Sequence, residues 1–177
     1  MKLTVGGVEE SRALQVRKDP HSGGSEAEIA EQVAFLAAVR EDLEAGAGAV
    51  RRIEDLRVQL DVLGRFTSDQ EVRRAAQALG ARLVELEMSL VDLRLTGQGQ
   101  DGIRFEAKLL QKLGYLAGTL SGADFRPTDQ QVEVQKLLNQ QVGEHIAALE
   151  VVLRTDLGAL NTMLRSKGIG VIGDEDR

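Results

Sequence analysis

One stretch of sequence decides the fold and separates two long segments of apolar periodicity: Gly122-Ala123-Asp124-Phe125-Arg126-Pro127-Thr128-Asp129-Gln130. Proline removes a backbone donor and disfavours the α region for the residue before it, so a preceding helix must end here. Thr128 followed three residues later by Gln131 forms a capping-box pattern. The stretch therefore predicts a turn between two helices, with the second helix starting after Thr128.

Capping patterns and glycines set the bounds of four predicted helices. A capping box at 25–28 opens the first helix at Glu26, and this helix closes in a turn at 64–67. A second capping box at 68–71 opens the second helix, which the glycine-rich segment 97–102 ends. The third helix is shorter and ends at the turn described above. The fourth runs to Gly168, which occupies the position of a C-cap glycine.

Apolar residues recur at steps of three and four in all four segments, as in helices that bury one face. At 1.5 Å per residue, the first and fourth helices would each be on the order of 55–60 Å long. Gly46 and Gly48 in the first helix are compatible with a kink or with a continuous helix held by packing. The short connections predict antiparallel neighbours, and hence a mainly all-α fold: an up-down-up-down four-helix bundle with two long and two shorter helices. The apolar positions are Ile29, Val33, Leu36, Leu43, Val50, Ile53, Leu56, Leu60 and Leu63; Val72, Ala76, Leu79, Leu83, Leu86, Leu90 and Leu93; Phe105, Leu109, Leu113, Leu116 and Leu120; and Val132, Leu138, Val142, Ile146, Leu149, Leu153, Leu157, Leu160 and Leu164.

The first twenty residues have a different pattern, which predicts a β-hairpin. Lys2–Val5 and Leu14–Val16 alternate apolar and polar residues, and Gly6-Gly7 is a tight-turn signal. Because a lone hairpin is marginal in water, we interpret it as the remnant of a larger β-sandwich. The predicted organisation is a hairpin at 1–20, a linker at 21–24, a helical bundle at 25–168 and a flexible acidic tail at 169–177.

Composition narrows the class of partner. A net charge of -6 and a pI near 5.1 argue against nucleic acid or an anionic membrane surface. No apolar run approaches the roughly 20 residues of a membrane span, and residues 1–20 lack the apolar core of a signal peptide. With one Tyr, four Phe and no Trp, a platform for stacking bases or sugars is not expected. The sequence has no Cys, which excludes disulfides and thiol chemistry. We therefore expect a protein partner.

No catalytic, cofactor-binding or metal-binding residues are predicted, and the chain is expected not to be an enzyme. Gly97, Gly99 and Gly102 spell G-x-G-x-x-G, but a dinucleotide site needs a strand before this motif, so a flexible loop is favoured. Neither His21 nor His145 has a Glu three positions earlier, as a di-metal bundle requires. We interpret His145 as a partly buried or boundary histidine.

Two further patterns favour structural roles over binding sites. The acidic groups at 41–44 and 54–55 neighbour arginines at helical spacing, which predicts an ion-paired solvent face. Gly114 and Gly118 give the third helix a small face, which predicts close contact with another helix. A ligand groove at this position is the less favoured alternative.

Five segments occur in an order that suggests a family: Lys2–Gly7, Leu14–Pro20, Ile53–Leu60, Lys112–Gln130 and Asp156–Ile169. Together they resemble the C-terminal region of bacterial sortilin-like, sialidase-type β-propeller proteins, often labelled BNR-repeat or glycosyl hydrolase proteins. The resemblance covers essentially the whole chain. It implies that the hairpin belongs to a small immunoglobulin-like domain and that full-length relatives are exported to the periplasm or beyond. The propeller itself, with its S-x-D-x-G-x-T-W box, is absent, so no propeller residue carries over.

These observations support three hypotheses about function. The first is a non-catalytic helical-bundle module with an architectural or protein–protein interaction role beside a propeller. The alternative is an accessory region that shapes the substrate site of a glycosidase- or peptidase-like propeller enzyme. An aromatic cleft around Phe105, Tyr115 and Phe125 would favour this alternative. The third hypothesis is a homo-oligomer formed through the first and fourth helices.

The predicted cap at Thr128 is directly testable. Thr128→Ala should lower the free energy of unfolding by about 1 kcal/mol, because one amide of the first turn loses its acceptor. Thr128→Ser should be nearly neutral, since serine can still cap. Urea denaturation of both variants measures the difference, and an equal loss for the two would rule out the cap.

Overall fold

The computed structural model describes residues 1–97 and 99–173 and is mainly helical, with an antiparallel hairpin before the helices. The predicted helical class and N-terminal hairpin are therefore confirmed. In chain order the elements are β1 (Lys2–Val5), β2 (Val8–Ser11), α1 (Glu26–Phe66), α2 (Gln70–Leu90), α3 (Asp101–Arg104), α4 (Leu109–Leu120), α5 (Asp129–Val152), a π-helical segment (Leu153–Leu157) and α6 (Gly158–Ser166).

The hairpin is tighter than predicted. Gly6 and Gly7 have φ angles of +56° and +81°, the left-handed values that both central residues of a type I′ turn require. Val5 therefore pairs directly with Val8, and the second strand begins at once. The prediction of a second strand at Leu14–Val16 was wrong, because the two-residue turn fixes the register before the chain reaches that segment.

α1 begins as the sequence predicts, and of the two alternatives at its central glycines the continuous helix is present. The Ser25 hydroxyl accepts from the Glu28 N–H at 3.2 Å, and the Glu28 carboxylate accepts from the Ser25 N–H at 2.8 Å. The helix passes through both of its central glycines without a break. At Gly46 the reason is packing, because the Leu110 side chain occupies the space that a Cβ would need. α1 ends one turn later than predicted, at Phe66.

α2 is capped one residue later than predicted. Its N-cap is Asp69, whose Oδ1 accepts from the N–H groups of Glu71 at 2.8 Å and Val72 at 3.2 Å. The predicted Ser68 capping box was wrong. An aspartate at this position satisfies two amides, and its charge interacts favourably with the helix dipole. Asp69 also binds Lys167 at 2.8 Å, a contact between distant residues that local sequence does not reveal.

The third predicted helix is two elements. α3 is a single turn, and Phe105 follows it outside any helix, so only the residues from Leu109 onward form the longer helix α4. The start of the fourth helix is confirmed: Thr128 accepts from the Gln131 N–H at 3.3 Å and donates its own N–H to Gln131 Oε1 at 2.8 Å. This reciprocal pair is the predicted capping box.

The fourth predicted helix contains a π-helical segment, Leu153–Leu157, that the sequence pattern did not indicate. Two adjacent residues, Val152 and Leu153, are both buried there, so the wider turn brings the apolar stripe back onto the core. At the end of α6, Gly168 has φ +68° and the Ile169 N–H donates to Leu164 O at 2.9 Å. This is a Schellman motif, and it confirms the predicted C-cap glycine.

Contacts along α1 fix the direction of α4. Gln32, near the start of α1, donates to the carbonyl of Leu120 at the end of α4. Gly46, further along α1, faces Leu110 at the start of α4. α4 therefore runs antiparallel to α1.

α5 and α6 run parallel to α1. Asp42 of α1 accepts from Gln135 at 2.8 Å, and Arg52, ten residues later, pairs with Glu150. α2 runs the opposite way, because Lys167 after α6 contacts Asp69 before α2.

α2 and α4 therefore point in the same direction, and the predicted up-down-up-down order does not describe these contacts. α1 is 41 residues long, whereas α2 has 21 and α4 has 12. Neither of the shorter helices can cover α1 alone, and each of them packs on it. The connection of residues 91–108 thus links two successive helices along α1 without reversing the chain.

The core includes most of the predicted stripes, with departures in α1 and α2. In α1, Val33 is exposed, whereas three apolar residues outside the predicted stripe are buried: Phe35, Val39 and Ala49. Val72, Ala76, Leu79, Leu83 and Leu90 are buried, but Leu86 is only partly buried and Leu93 is exposed beyond the helix end. The position next to Leu86 is a fully buried glutamate, Glu87, which pairs with Arg57 of α1. Among the described residues, Glu87 Oε1 has no hydrogen-bond partner.

The burial difference between two leucines of α2 gives a stability prediction. Leu83→Ala should lower the free energy of unfolding by about 2–5 kcal/mol, because Leu83 is fully buried in the core. Leu86→Ala should cost clearly less, since Leu86 already contacts water. Urea denaturation followed by circular dichroism measures both, and equal losses would contradict the orientation of α2.

Candidate functional site

Backbone amides at the start of the glycine-rich segment already bind a carboxylate of this chain. Asp101 Oδ2 accepts from the N–H groups of Thr96 at 2.7 Å and Gly97 at 3.0 Å. Gly97 and Gly99 have φ angles of +73° and +65°, as a loop of this kind requires. The amides that would receive a phosphate are thus used within the loop, and α2 rather than a strand precedes it. Gly97 and Gly99 lie between α2 and α3, as predicted for a connection between helices, whereas Asp101 and Gly102 already belong to α3.

The two histidines lie apart. His21 is exposed before α1, while His145 is partly buried on α5, which is the burial predicted for it. Within residues 1–97 and 99–173, the structure brings together no group of three or more His, Asp or Glu side chains that could hold a metal ion.

One carboxylate of the predicted ion-paired face has a different role. Arg40 and Glu44 do pair on the surface at 3.0 Å. Asp42, however, is buried and accepts hydrogen bonds from the side-chain amides of Gln135 and Asn139 on α5. The two amides are four residues apart on one face of α5, and this spacing was the available signal for a polar contact. Asp42 therefore links α1 to α5.

The three aromatic residues that could have lined a substrate cleft do not come together. The guanidinium of Arg94 lies 4.5 Å from the ring centroid of Phe105, a cation–π contact. Tyr115 on α4 is 77% exposed. Phe125 lines a pocket to which neither of the other two contributes.

That pocket marks the junction between the linker and the α4–α5 turn. It has a volume of about 490 Å³ and is lined by residues 22–24, Glu28 and 121–125. At Gly24 the two backbones touch, since a Cβ would collide with the carbonyl of Asp124. Gln32 crosses the same junction and donates to Ala123 O at 2.6 Å. The junction thus fixes the start of α1 against the turn that decides the fold.

The small face of α4 makes no close helix contact. Gly114 and Gly118 are exposed, and a Cβ at either position would meet open space. The prediction that these glycines allow close packing was therefore wrong. The close approach occurs at Gly46 and Gly24 instead.

Asp92 anchors the connection that follows α2. Its side chain is fully buried and accepts from the Arg94 guanidinium at 2.6 and 2.8 Å. These bonds, supported by the Arg94 backbone N–H, lower the pKa of Asp92 from 3.8 to about 2. The same Arg94 covers Phe105, so one arginine joins both ends of the connection.

The hairpin carries the most unusual surface of the chain. Cross-strand partners share a face, so Leu3, Val5 and Val8 lie together on one side of the sheet with Glu10. These three side chains are 63%, 66% and 69% exposed. We call them the hairpin face. Leu14 and Val16, just beyond the strands, are also exposed.

The opposite side of the hairpin is polar. It carries Lys2, Thr4, Glu9 and Ser11, and Lys2 pairs with Glu9 at 2.8 Å. A sheet with one apolar and one charged side normally packs its apolar side on a core. Contiguous exposed apolar residues of this kind mark interaction surfaces. The hairpin face is therefore the candidate functional site.

Comparisons with protein-family models, with curated proteins and with solved structures find no match to this chain. Across residues 1–97 and 99–173, no helix combines the length and the apolar character needed to cross a membrane.

The junction is tested by a matched pair of glycine substitutions. Gly24→Ala should lower the free energy of unfolding by about 1–3 kcal/mol, because the new Cβ forces the two backbones apart. Gly23→Ala, which meets open space, should change it by less than about 0.5 kcal/mol. Thermal unfolding compares them, and similar melting temperatures would contradict the close approach.

Because the pKa of Asp92 is lowered, we expect its contribution to the free energy of unfolding to be lost in acid. Its pKa is lower in the folded state, so the stabilisation is present above its ordinary pKa of 3.8 and is lost as the pH falls towards 2. Asp92→Asn should flatten the dependence of unfolding free energy on pH in this window. Urea titrations between pH 5 and pH 2 compare the variant with the wild type, and identical slopes would exclude the effect.

Proposed function

We propose that the chain is a non-catalytic helical-bundle module that contacts another protein domain through its N-terminal hairpin. The hairpin face supports this proposal most directly. Leu3, Val5 and Val8 are exposed together on a two-stranded sheet, and such a sheet is marginal in water on its own. A partner sheet that covered this face would remove apolar area from water, at about 25 cal/mol per Å².

The bundle would act as a rigid spacer in this role. We propose that it is built of three columns: α1, then α2 and α4 end to end, then α5 continuing into α6. Two side-chain contacts about ten residues apart, Asp42 to Gln135 and Arg52 to Glu150, support a fixed alignment of α1 with α5. α1 alone would hold its two ends on the order of 60 Å apart.

The sequence resemblance suggests the class of partner. In the sortilin-like, BNR-repeat propeller proteins that this chain resembles, a strand pair closes a small immunoglobulin-like domain before a helical region. We propose the same relation here, with the hairpin completing a β-domain beside a propeller. Any glycosidase activity would then belong to the propeller, and we assign no catalytic residue to this chain.

The alternative role in shaping a substrate site has less support. It would be favoured by a shared cleft lined by Phe105, Tyr115 and Phe125, and these residues lie apart. We therefore keep the interaction module as the single proposed function.

The proposal is tested by adding the full chain to a purified sortilin-like propeller protein that lacks its own C-terminal helical region and closing strand pair. In the free chain, the amides of 2–11 should exchange with deuterium quickly, because the hairpin is exposed on both sides. In the mixture, these amides should exchange at least about tenfold more slowly, while the helical amides stay unchanged.

Two triple variants provide the control. Leu3→Ser, Val5→Ser and Val8→Ser together remove the hairpin face and should abolish the protection. Lys2→Ser, Thr4→Ser and Glu9→Ser together change the polar side and should leave it intact. The proposal fails if both variants are protected equally, or if the hairpin of the free monomer exchanges as slowly as the helices.

A further inference from the structure

Residues 170–173, which we call the strap, follow α6 outside any helix or strand and are bound by two side-chain amides. Asn161 of α6 donates to Ile172 O and accepts from the Ile172 N–H, both at 2.9 Å. Gln59 of α1 donates to Gly173 O at 2.9 Å and accepts from the Gly173 N–H at 3.2 Å. The N–H and C=O groups of two successive residues are thus all paired, those of Ile172 with one side-chain amide and those of Gly173 with another. The strap belongs to the segment predicted as a flexible tail; residues 174–177 lie outside the described residues.

The cleft that holds the strap has the features of an extended-peptide site. Asn161 and Gln59 bind backbone groups, which every sequence offers, while Ile172 is buried in the core and provides the selectivity. Backbone hydrogen bonds combined with a pocket for a single side chain are the usual chemistry of extended-peptide recognition. The cleft between α1 and α6 therefore suits a branched aliphatic residue followed by glycine.

The attachment of the strap permits exchange. Gly168 adopts a left-handed conformation with φ +68°, and Gly170 follows two residues later, so two positions of the connection carry no side chain. Ile169 between them is only partly buried against the core. The strap is held by the contacts of Ile172 and Gly173, beyond this hinge. Opening at the hinge would release the strap and leave the cleft formed by α1 and α6.

An exposed apolar patch lies beside the same cleft. Val62 and Phe66 follow Gln59 by three and seven residues, so the three lie on one side of α1. Phe66 is 84% exposed, and Val171 of the strap is 48% exposed. A second copy that approached this end of the bundle would cover these residues as well as offer its own strap.

We propose that the cleft between α1 and α6 is a binding site for the strap of a second copy, so that two chains exchange straps and form a dimer. Ile172 of each copy would then fill the core of the other. Exchange of an identical element between protomers needs no new site and is a low-cost route to a dimer. This proposal does not rest on the proposed function, because the hairpin precedes the start of α1 and the cleft lies near its end.

The test combines two full-length variants. One has a defective cleft and the other has a defective strap. The cleft variant, Asn161→Ala with Gln59→Ala, lacks the two side-chain amides of the cleft. Its own strap is unchanged but has no cleft in the same chain to bind. The strap variant, Ile172→Asp, has an unchanged cleft. This cleft is empty because the aspartate cannot replace the buried isoleucine side chain. Sedimentation velocity should show monomers for each alone and a one-to-one dimer in the mixture. The apparent dissociation constant in the mixture should be at least about tenfold lower than in the wild type, in which the strap of the same chain competes.

Two further measurements make the result decisive. Circular dichroism checks that both variants keep the helical content of the wild type, and Ile172→Ala replaces Ile172→Asp if the latter unfolds. Hydrogen exchange should show that the amides of Ile172 and Gly173 in the cleft variant become protected on mixing. A mixture of folded variants that stays monomeric, with these amides still exchanging quickly, would overturn the proposal. A dimer that also forms when both chains carry the cleft substitutions would overturn it as well.

Discussion

The apolar stripe of α1 is the constraint on which the rest of the structure depends. A single helix of 41 residues cannot bury its apolar face unless other elements cover its whole length. α2, α4 and α5 each pack on α1, while α6, which continues α5, packs on α2. Hydrogen bonds and an ion pair from polar side chains of α1 also hold these covering elements in place. Gln32, Asp42, Arg57 and Gln59 each reach a different partner element, and together they fix the levels at which these elements lie.

The sequence was most informative at helix ends that are decided by short-range interactions. The cap at Ser25, the cap at Thr128 and the glycine at 168 are set by residues within one turn, so their patterns identify them. Some of the errors occur where a distant residue contributes to the outcome. Asp69 was missed as a cap, and it contacts Lys167, which lies far away in sequence. The direction of α4 likewise depends on packing against α1, which no local pattern in 91–108 records.

The sequence predicted that the candidate site is a β-hairpin, but it did not predict which residues form the second strand. The incomplete hairpin follows from the alternation of Lys2–Val5 and the glycine turn, but its second strand lies where the turn places it and not where alternation recurs. The strap could not be predicted at all. Asn161 and Gln59 are isolated amides in the sequence, and only folding places them on either side of Ile172. Side-chain amides of this kind are common in helices, so they carry no signal until their partner is known.

The packing of both α2 and α4 on α1 also determines where this chain can change in length. An insertion of one residue inside α1 would rotate every following residue by about 100° and carry the apolar stripe away from its partners. Gly97 is exposed and lies between α2 and α4, each of which packs on α1. Doubling the length of a flexible loop costs only about 0.6 kcal/mol. An added peptide, a reporter or a whole guest domain could therefore be accommodated at this point, while the rest of the bundle kept its register.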